Sequence, residues 1–357
     1  MSRSPGPYLI ALVLGALADA RPAHATAPAP VEVATRERLP EESSDFYREL
    51  RRPGTARART LLRHGLDRLA ASRETYSLHR RAMLVEGGIT RLRLAHAYAP
   101  DDPEVLFALA SALSAFDEPL RDGTRRPRTD EALEAFLRLR ALDPSYEAER
   151  VAFDVAVLHT KRHDLAAART EYARAIETAF DELETITAHG NLAEVTMLDG
   201  DLEGALRHYE RAAELSRAAG PTAARSLALS LFGAAVVLDR LGDPEGALAK
   251  AREATSAGGG LAVLRMEGVF FEPPHELHHY EGLGHLALAE LAATPSERLA
   301  ELRDARRSFE RFLDEGGAAG PFATPARARL AAVDAELARL TAPDERRPRR
   351  RAPRPGR

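Results

Sequence analysis

From about Thr55 to Ala342, apolar residues recur at the three-to-four spacing of a helix face, and short turns interrupt them repeatedly. The pattern predicts an all-α fold of tandem antiparallel helix pairs. Three segments share one register: Ala168/Tyr172/Ala175, Ala205/Tyr209/Ala212 and Ala247/Ala251/Ala254. Five residues before each leading alanine stands a turn pair, His163-Asp164, Gly200-Asp201 or Gly242-Asp243. Twelve residues before it stands another alanine, Ala156, Ala193 or Ala235. Antiparallel helices approach closely only where both present small side chains, and the tyrosines are expected to fill the gap to the next pair. Gly or Asp at the turn ends one helix and caps the next. No single pair can bury its apolar face alone, so neighbours must stack into a continuous core.

Looser copies flank the central three. Gly88/Leu92/Ala95 and Ala132/Phe136/Leu139 are followed by Pro100 and Pro144, which stop their helices. Ala305/Phe309/Phe312 follows a turn lengthened around Thr294-Pro295, and another long turn spans Asp117–Thr129. Residues Pro325 to Leu340 read as a closing helix.

These residues resemble the tetratricopeptide-repeat (TPR) family, whose unit is about 34 residues with this small–aromatic–small–Pro pattern. The resemblance covers residues 60–320 or so, with the outlying copies blurred by insertions and by the missing Trp. It implies a right-handed TPR-like superhelix with a concave groove for a partner protein or peptide, and it implies no enzymatic activity and no cofactor. The expected function is a non-enzymatic protein-interaction scaffold. Groove residues are expected on the first helix of each pair, with His189, Asn191, Glu194 and Asp239 as candidates.

The ends of the chain read differently. Arg3, the apolar run Tyr8 to Ala18 and the small-x-small site Ala23-His24-Ala25 predict a bacterial-type signal peptide over residues 1–25. Export to the periplasm or the medium follows as an expectation. The run is too short to span a bilayer, so no stable membrane span is expected. Residues 26–54 read as an Ala/Pro-rich linker with a first short helix, 55–342 as the repeat domain, and 343–357 as a disordered Arg/Pro tail.

Charge sharpens the picture. The net charge is −4, and residues 346–357 carry seven arginines and no acid, which leaves −11 for the rest. An acidic body does not suit a nucleic-acid-binding domain, whose folded face is itself basic. The tail could touch an anionic surface. The chain has no cysteine, which excludes disulfides, thiolate zinc sites, a thiol nucleophile and a lipidated N-terminal cysteine.

One string carries candidate chemistry. His275 to His285 (HELHHYEGLGH) satisfies HExxHxxGxxH, the metzincin zinc-protease pattern. There His275, His279 and His285 would bind zinc and Glu276 would act as general base on a metal-bound water, making a zinc metallohydrolase the alternative function. Against it, no methionine follows His285 to form a Met-turn, and Pro273-Pro274 places His275 in the first turn of a helix. Leu283 to Leu291 continues as an apolar helix, so a break at Gly282 is not expected. In an unbroken helix His285 lies roughly 80° around the axis from His275. Tyr280, Leu283, Gly284 and Ala287 read instead as the buried face of a first helix. Just before it, Phe270 and Phe271 either plug a junction between repeats or form an exposed contact, and Gly258-Gly259-Gly260 suggests a flexible connection.

Overall fold

The structure, a computed structural model, describes residues 9–11, 54–119, 125–179, 181–266 and 269–342. Thirteen α-helices follow one another there: α1 (Thr55–Glu74), α2 (Leu78–Tyr98), α3 (Pro103–Ala115), α4 (Thr129–Leu142), α5 (Ala148–Lys161), α6 (Leu165–Thr178), α7 (Glu182–Leu198), α8 (Leu202–Ala219), α9 (Ala224–Leu241), α10 (Pro244–Ser256), α11 (Glu276–Leu291), α12 (Pro295–Asp314) and α13 (Ala323–Thr341). Strand β1 (Leu9–Ala11) pairs antiparallel with β4 (Phe270–Glu272), and β2 (Glu118–Pro119) pairs with β3 (Arg125–Arg126). Apart from β1, the expected signal peptide, linker and first short helix lie outside the described residues, as does the tail 343–357.

The described residues fall into two compact units, one ending at Val195 and the other beginning at Thr196 and including β1, so the division falls inside α7. In the first, α1 packs on α2, α3 on α4 and α5 on α6. In the second, α8 and α10 flank α9, α11 packs on α12, and α13 closes the array.

The register governs the packing. Every residue of all six triplets is buried, and so are Ala156, Ala193 and Ala235 on the facing helices. Tyr209 reaches across to the next pair: a Cβ added at Gly233 of α9 would sit 2.3 Å from its ring. Within the α11–α12 pair, a Cβ at Gly282 of α11 would lie 2.6 Å from Phe309 of α12. Each such contact fills space that would otherwise be a void, and voids forfeit dispersion energy outright.

The turns repeat one device. His163, Gly200 and Gly242 are left-handed, with φ of 59°, 91° and 83°. The aspartate that follows each one caps the next helix, accepting from Ala167, Gly204 and Gly246 N–H at 3.3, 2.7 and 2.9 Å. Pro100 and Pro144 lie two residues beyond the ends of α2 and α4.

Two insertions are ordered by local contacts. The long turn before α4 holds the β2–β3 pair, and Arg128 there is buried with its guanidinium on the Glu86 carboxylate at 2.7 and 2.8 Å. After α10, the glycine run is no flexible connection. Gly259 and Gly260 hold φ of 99° and 56° at the start of a 3-10 turn, and a Cβ at Gly258 would meet the Ala224 backbone at 2.6 Å. Phe271 is buried edge-on against Tyr280, with ring centroids 5.2 Å apart, so it plugs the junction.

By length and composition alone, Leu202–Leu241 could cross a membrane, but 67% of its apolar window is buried inside the protein, as in a core helix.

Candidate functional site

Of the four candidate groove residues, three are buried. Asn191 and Glu194 on α7 are each 1% exposed, Asp239 on α9 is 6% exposed, and His189 is half-buried. His189, Asn191 and Glu194 lie in the first unit and Asp239 in the second, each in a polar cluster of its own unit.

The first face lies on α5, α6 and α7. At its centre is the Tyr172 phenol, fully buried, whose hydroxyl accepts from Asn191 Nδ2 at 3.4 Å and also bonds the Thr160 side chain. Burial pushes the Tyr172 phenol up, against these two hydrogen bonds, and the nearby Glu194 and Asp154 charges push it further. Asn191 Oδ1 has no hydrogen-bond partner among the described residues. Burial raises the Asp154 carboxyl to about 6, with Arg150 and Lys161 pulling the other way. A buried amide carbonyl without a donor costs free energy until something donates to it. Sequence reasoning singles out Asn191 and Glu194 as groove candidates and misses Asp154 and Thr160. Their helical spacing from buried apolar positions was the available signal: Asp154 follows Val151 by three, and Thr160 follows Ala156 by four.

The second face lies on α9, α11 and α13. Asp239 accepts from His279 Nε2 at 2.9 Å and from Arg329 Nε at 2.6 Å. Burial opposes its ionisation, but the hydrogen bond and charge of His279 and the Arg329 guanidinium outweigh that cost and hold its carboxyl below the usual carboxylate range. One residue on, Arg240 pairs with Glu276, donates to Met197 Sδ at 3.1 Å, and lies over the Phe322 ring at 3.7 Å.

The HExxHxxGxxH string is thus distributed among different partners. α11 runs unbroken through Gly282, with His275 at its N-cap position. His275 packs against Phe312, with centroids 5.5 Å apart, and burial lowers its pKa. His279 faces Asp239, Phe309 and Phe312. His285 Nδ1 bonds Glu301 Oε2 at 2.8 Å. Glu276 is held by Arg240 in a pair with both side chains almost wholly buried, away from any water a base would activate. Among the described residues, the close group with metal-ligand chemistry is His285, Glu301 and Asp304, which includes neither His275 nor His279. The three histidines therefore do not converge on a common point.

An open cavity of about 330 Å³ beside β2 and β3 is lined by Arg93, Glu118, Arg126, Pro127, Arg128, Asp130 and Glu131. Its arginines are committed to Glu131, Glu118 and Glu86, so it presents paired charges.

Tandem antiparallel pairs with small residues at the crossing points and Asp-capped turns define an all-α helical-repeat protein. Residues 184–257, spanning α7 to α10, match the tetratricopeptide repeat family. No curated protein matches the chain in sequence. Among solved structures, it is similar to PilF of Pseudomonas aeruginosa at 16% identity, covering 81% of this chain and 94% of that one, with a TM-score of 0.41. It is similar to the apo form of RapI at 13% identity, covering 77% and 98%, with a TM-score of 0.47. It is also similar to YrrB, described as a TPR protein with an unusual peptide-binding site, at 14% identity, covering 66% and 96%, with a TM-score of 0.37.

Proposed function

We propose that the chain is a non-enzymatic scaffold that binds a segment of a partner protein on the α5–α7 face. The observation that carries this reading is the polar cluster that α5, α6 and α7 build around Tyr172, where Asn191 Nδ2 and the Thr160 side chain bond the phenol and Asn191 Oδ1 has no partner among the described residues. Glu194 and Asp154 lie around the Tyr172 phenol on this face, which favours a segment carrying Lys or Arg. Rigid helices hold these groups in place, so docking does not have to order the scaffold. The test is an immobilised peptide array probed with wild type and with Asn191→Ala and Glu194→Gln. Binding to Lys/Arg-containing peptides that falls at least tenfold in both variants, with helix content intact, is the expected result. Binding equal to wild type in both would overturn the reading.

Export is part of the proposal and rests on the Arg3, Tyr8 to Ala18 and Ala23-His24-Ala25 pattern. N-terminal sequencing of the mature protein from a bacterial host is expected to begin at Thr26; an intact Met1 would overturn it.

A further inference from the structure

The first helical hairpin carries a charge opposite in sign to that of the chain. Residues 55–98, which form α1, α2 and the turn between them, hold nine arginines against Asp67, Glu74 and Glu86. That is a net charge of +6 within a chain of net charge −4. Arg93 pairs with Glu131 and Glu86 with Arg128, and setting these two neutral pairs aside leaves the surplus unchanged. A surplus of one sign on one element selects a partner of the other sign. Helix stability does not account for where these cations stand. The first turn of α2 carries His79, Arg80 and Arg81 and no acid, beside the positive end of the helix dipole.

The tip of the hairpin holds apolar side chains outward on a braced frame. Arg81 Nε donates to the Ser72 carbonyl at 3.2 Å and its Nη2 to the Thr75 carbonyl at 3.3 Å. The Ser77 hydroxyl accepts from the Arg80 N–H at 3.3 Å and caps α2. On this frame Tyr76 is as exposed as in an extended chain, Leu78 is 76% exposed, and Met83, in the second turn of α2, is 59% exposed. Arg73, His79, Arg80 and Arg81 are exposed with them. A single exposed apolar residue is ordinary. Three within eight residues at a basic helical tip have the make-up of a surface that enters lipid headgroups. A protein partner would need a groove to bury a side chain that stands this far out, whereas a fluid bilayer closes around it. A nucleic acid offers phosphates to the arginines but little to Leu78 and Met83.

We propose that the tip of the α1–α2 hairpin is a peripheral contact for an anionic bilayer. Tyr76, Leu78 and Met83 enter the headgroup layer, and Arg73 and Arg80 face the lipid phosphates. Tyrosine suits that depth because its ring is apolar while its hydroxyl stays wet. One turn makes the contact, so it is reversible and needs no membrane span. It is independent of peptide binding on the α5–α7 face.

The chain has no cysteine, so Leu78→Cys gives a single attachment point for the environment-sensitive fluorophore NBD in the full-length protein. Vesicles of phosphatidylglycerol and phosphatidylcholine in equal parts are expected to shift the NBD emission to the blue, and vesicles of phosphatidylcholine alone are not. The same label at the exposed Leu291 in α11 is expected to stay silent. Arg80→Glu, which the dipole of α2 favours, should raise the lipid concentration for half-maximal signal at least tenfold at native helix content. Tyr76→Ser should raise it at least threefold. The arginines of residues 346–357 can hold the protein on anionic vesicles by charge alone. Co-sedimentation with those vesicles and no shift at residue 78 would therefore assign binding to the tail and overturn the proposal. Equal shifts with both vesicle types would also overturn it, because the arginines would then select nothing. Asn191→Ala should leave the shift unchanged, so failure here is distinguishable from failure at the α5–α7 face.

Discussion

Gly233 offers the sharpest check on how the repeats are held together. Its missing Cβ is the space that Tyr209 occupies: an added methyl would lie 2.3 Å from Cε1 and Cζ of the ring and 2.8 Å from Cδ1. The ring is wholly buried, so it cannot swing out, and to reach an ordinary contact it would have to retreat by about 1 Å. Overpacking of this kind costs about 1–3 kcal/mol. Replacing a mid-helix glycine by alanine returns about 1 kcal/mol. Gly233→Ala should therefore lose about 1 kcal/mol net, lowering the melting temperature by about 2–4 °C. Gly190 in α7 is the control, because nothing lies within 4 Å of its added Cβ, and Gly190→Ala should gain about 1 kcal/mol. The assay is urea and thermal unfolding followed by circular dichroism, run also in a Tyr209→Ala background. With the ring removed, Gly233→Ala should become stabilising, a coupling of about 2 kcal/mol in the double-mutant cycle. If Gly233→Ala stabilises wild type as much as Gly190→Ala does, the reading of Tyr209 as a wedge between pairs is wrong.

Other expectations follow from single residues. His163 occupies a left-handed position where the matching turns carry glycine, so His163→Gly should raise stability by about 1 kcal/mol in urea unfolding; a loss would show that its side chain matters more than its backbone strain. Asp154 has its folded pKa raised from 3.8 to about 6, so the folded state binds more protons than the unfolded state between those values and stability rises as pH falls through that window. Asp154→Asn should accordingly add on the order of 2 kcal/mol at pH 7 and remove that part of the pH slope, whereas an unchanged slope would place the titration elsewhere. Glu276→Gln leaves the buried Arg240 without its carboxylate and should cost about 3–5 kcal/mol, with a melting temperature indifferent to zinc or chelator. One zinc per chain, lost in a His275→Ala/His279→Ala variant, would instead revive a metal role for the string.

The repeat register was legible because it is local. Small residues at the crossings, a ring four positions on and Asp at the turn all fall within one unit, and each has the structural role its spacing implies. The closing helix was legible too, reading as Pro325 to Leu340 and spanning Ala323–Thr341 in the structure. The faces were not, because they depend on partners far along the chain. Arg329 meets Asp239 across 90 positions, and His279 meets Asp239 across 40. A histidine string reads as one metal site only while those distant acids are out of view. Asn191 and Glu194 lie on α7, and the burial of Asn191 comes from packing around Tyr172, which no spacing rule within α7 reports.

The Tyr209 wedge also decides where this array can be cut. The ring is carried on α8 and its socket, Gly233, on α9, so the tight contact straddles the turn between two pairs. A helix pair excised in the usual frame, α9 with α10, would leave the ring facing whatever residue the new neighbour supplies. Cutting one helix earlier, α8 with α9, moves ring and socket together. The portable module of this protein is therefore out of phase with its visible hairpins, and recombination or engineering that respects the contact should preserve folding where hairpin-by-hairpin exchange does not.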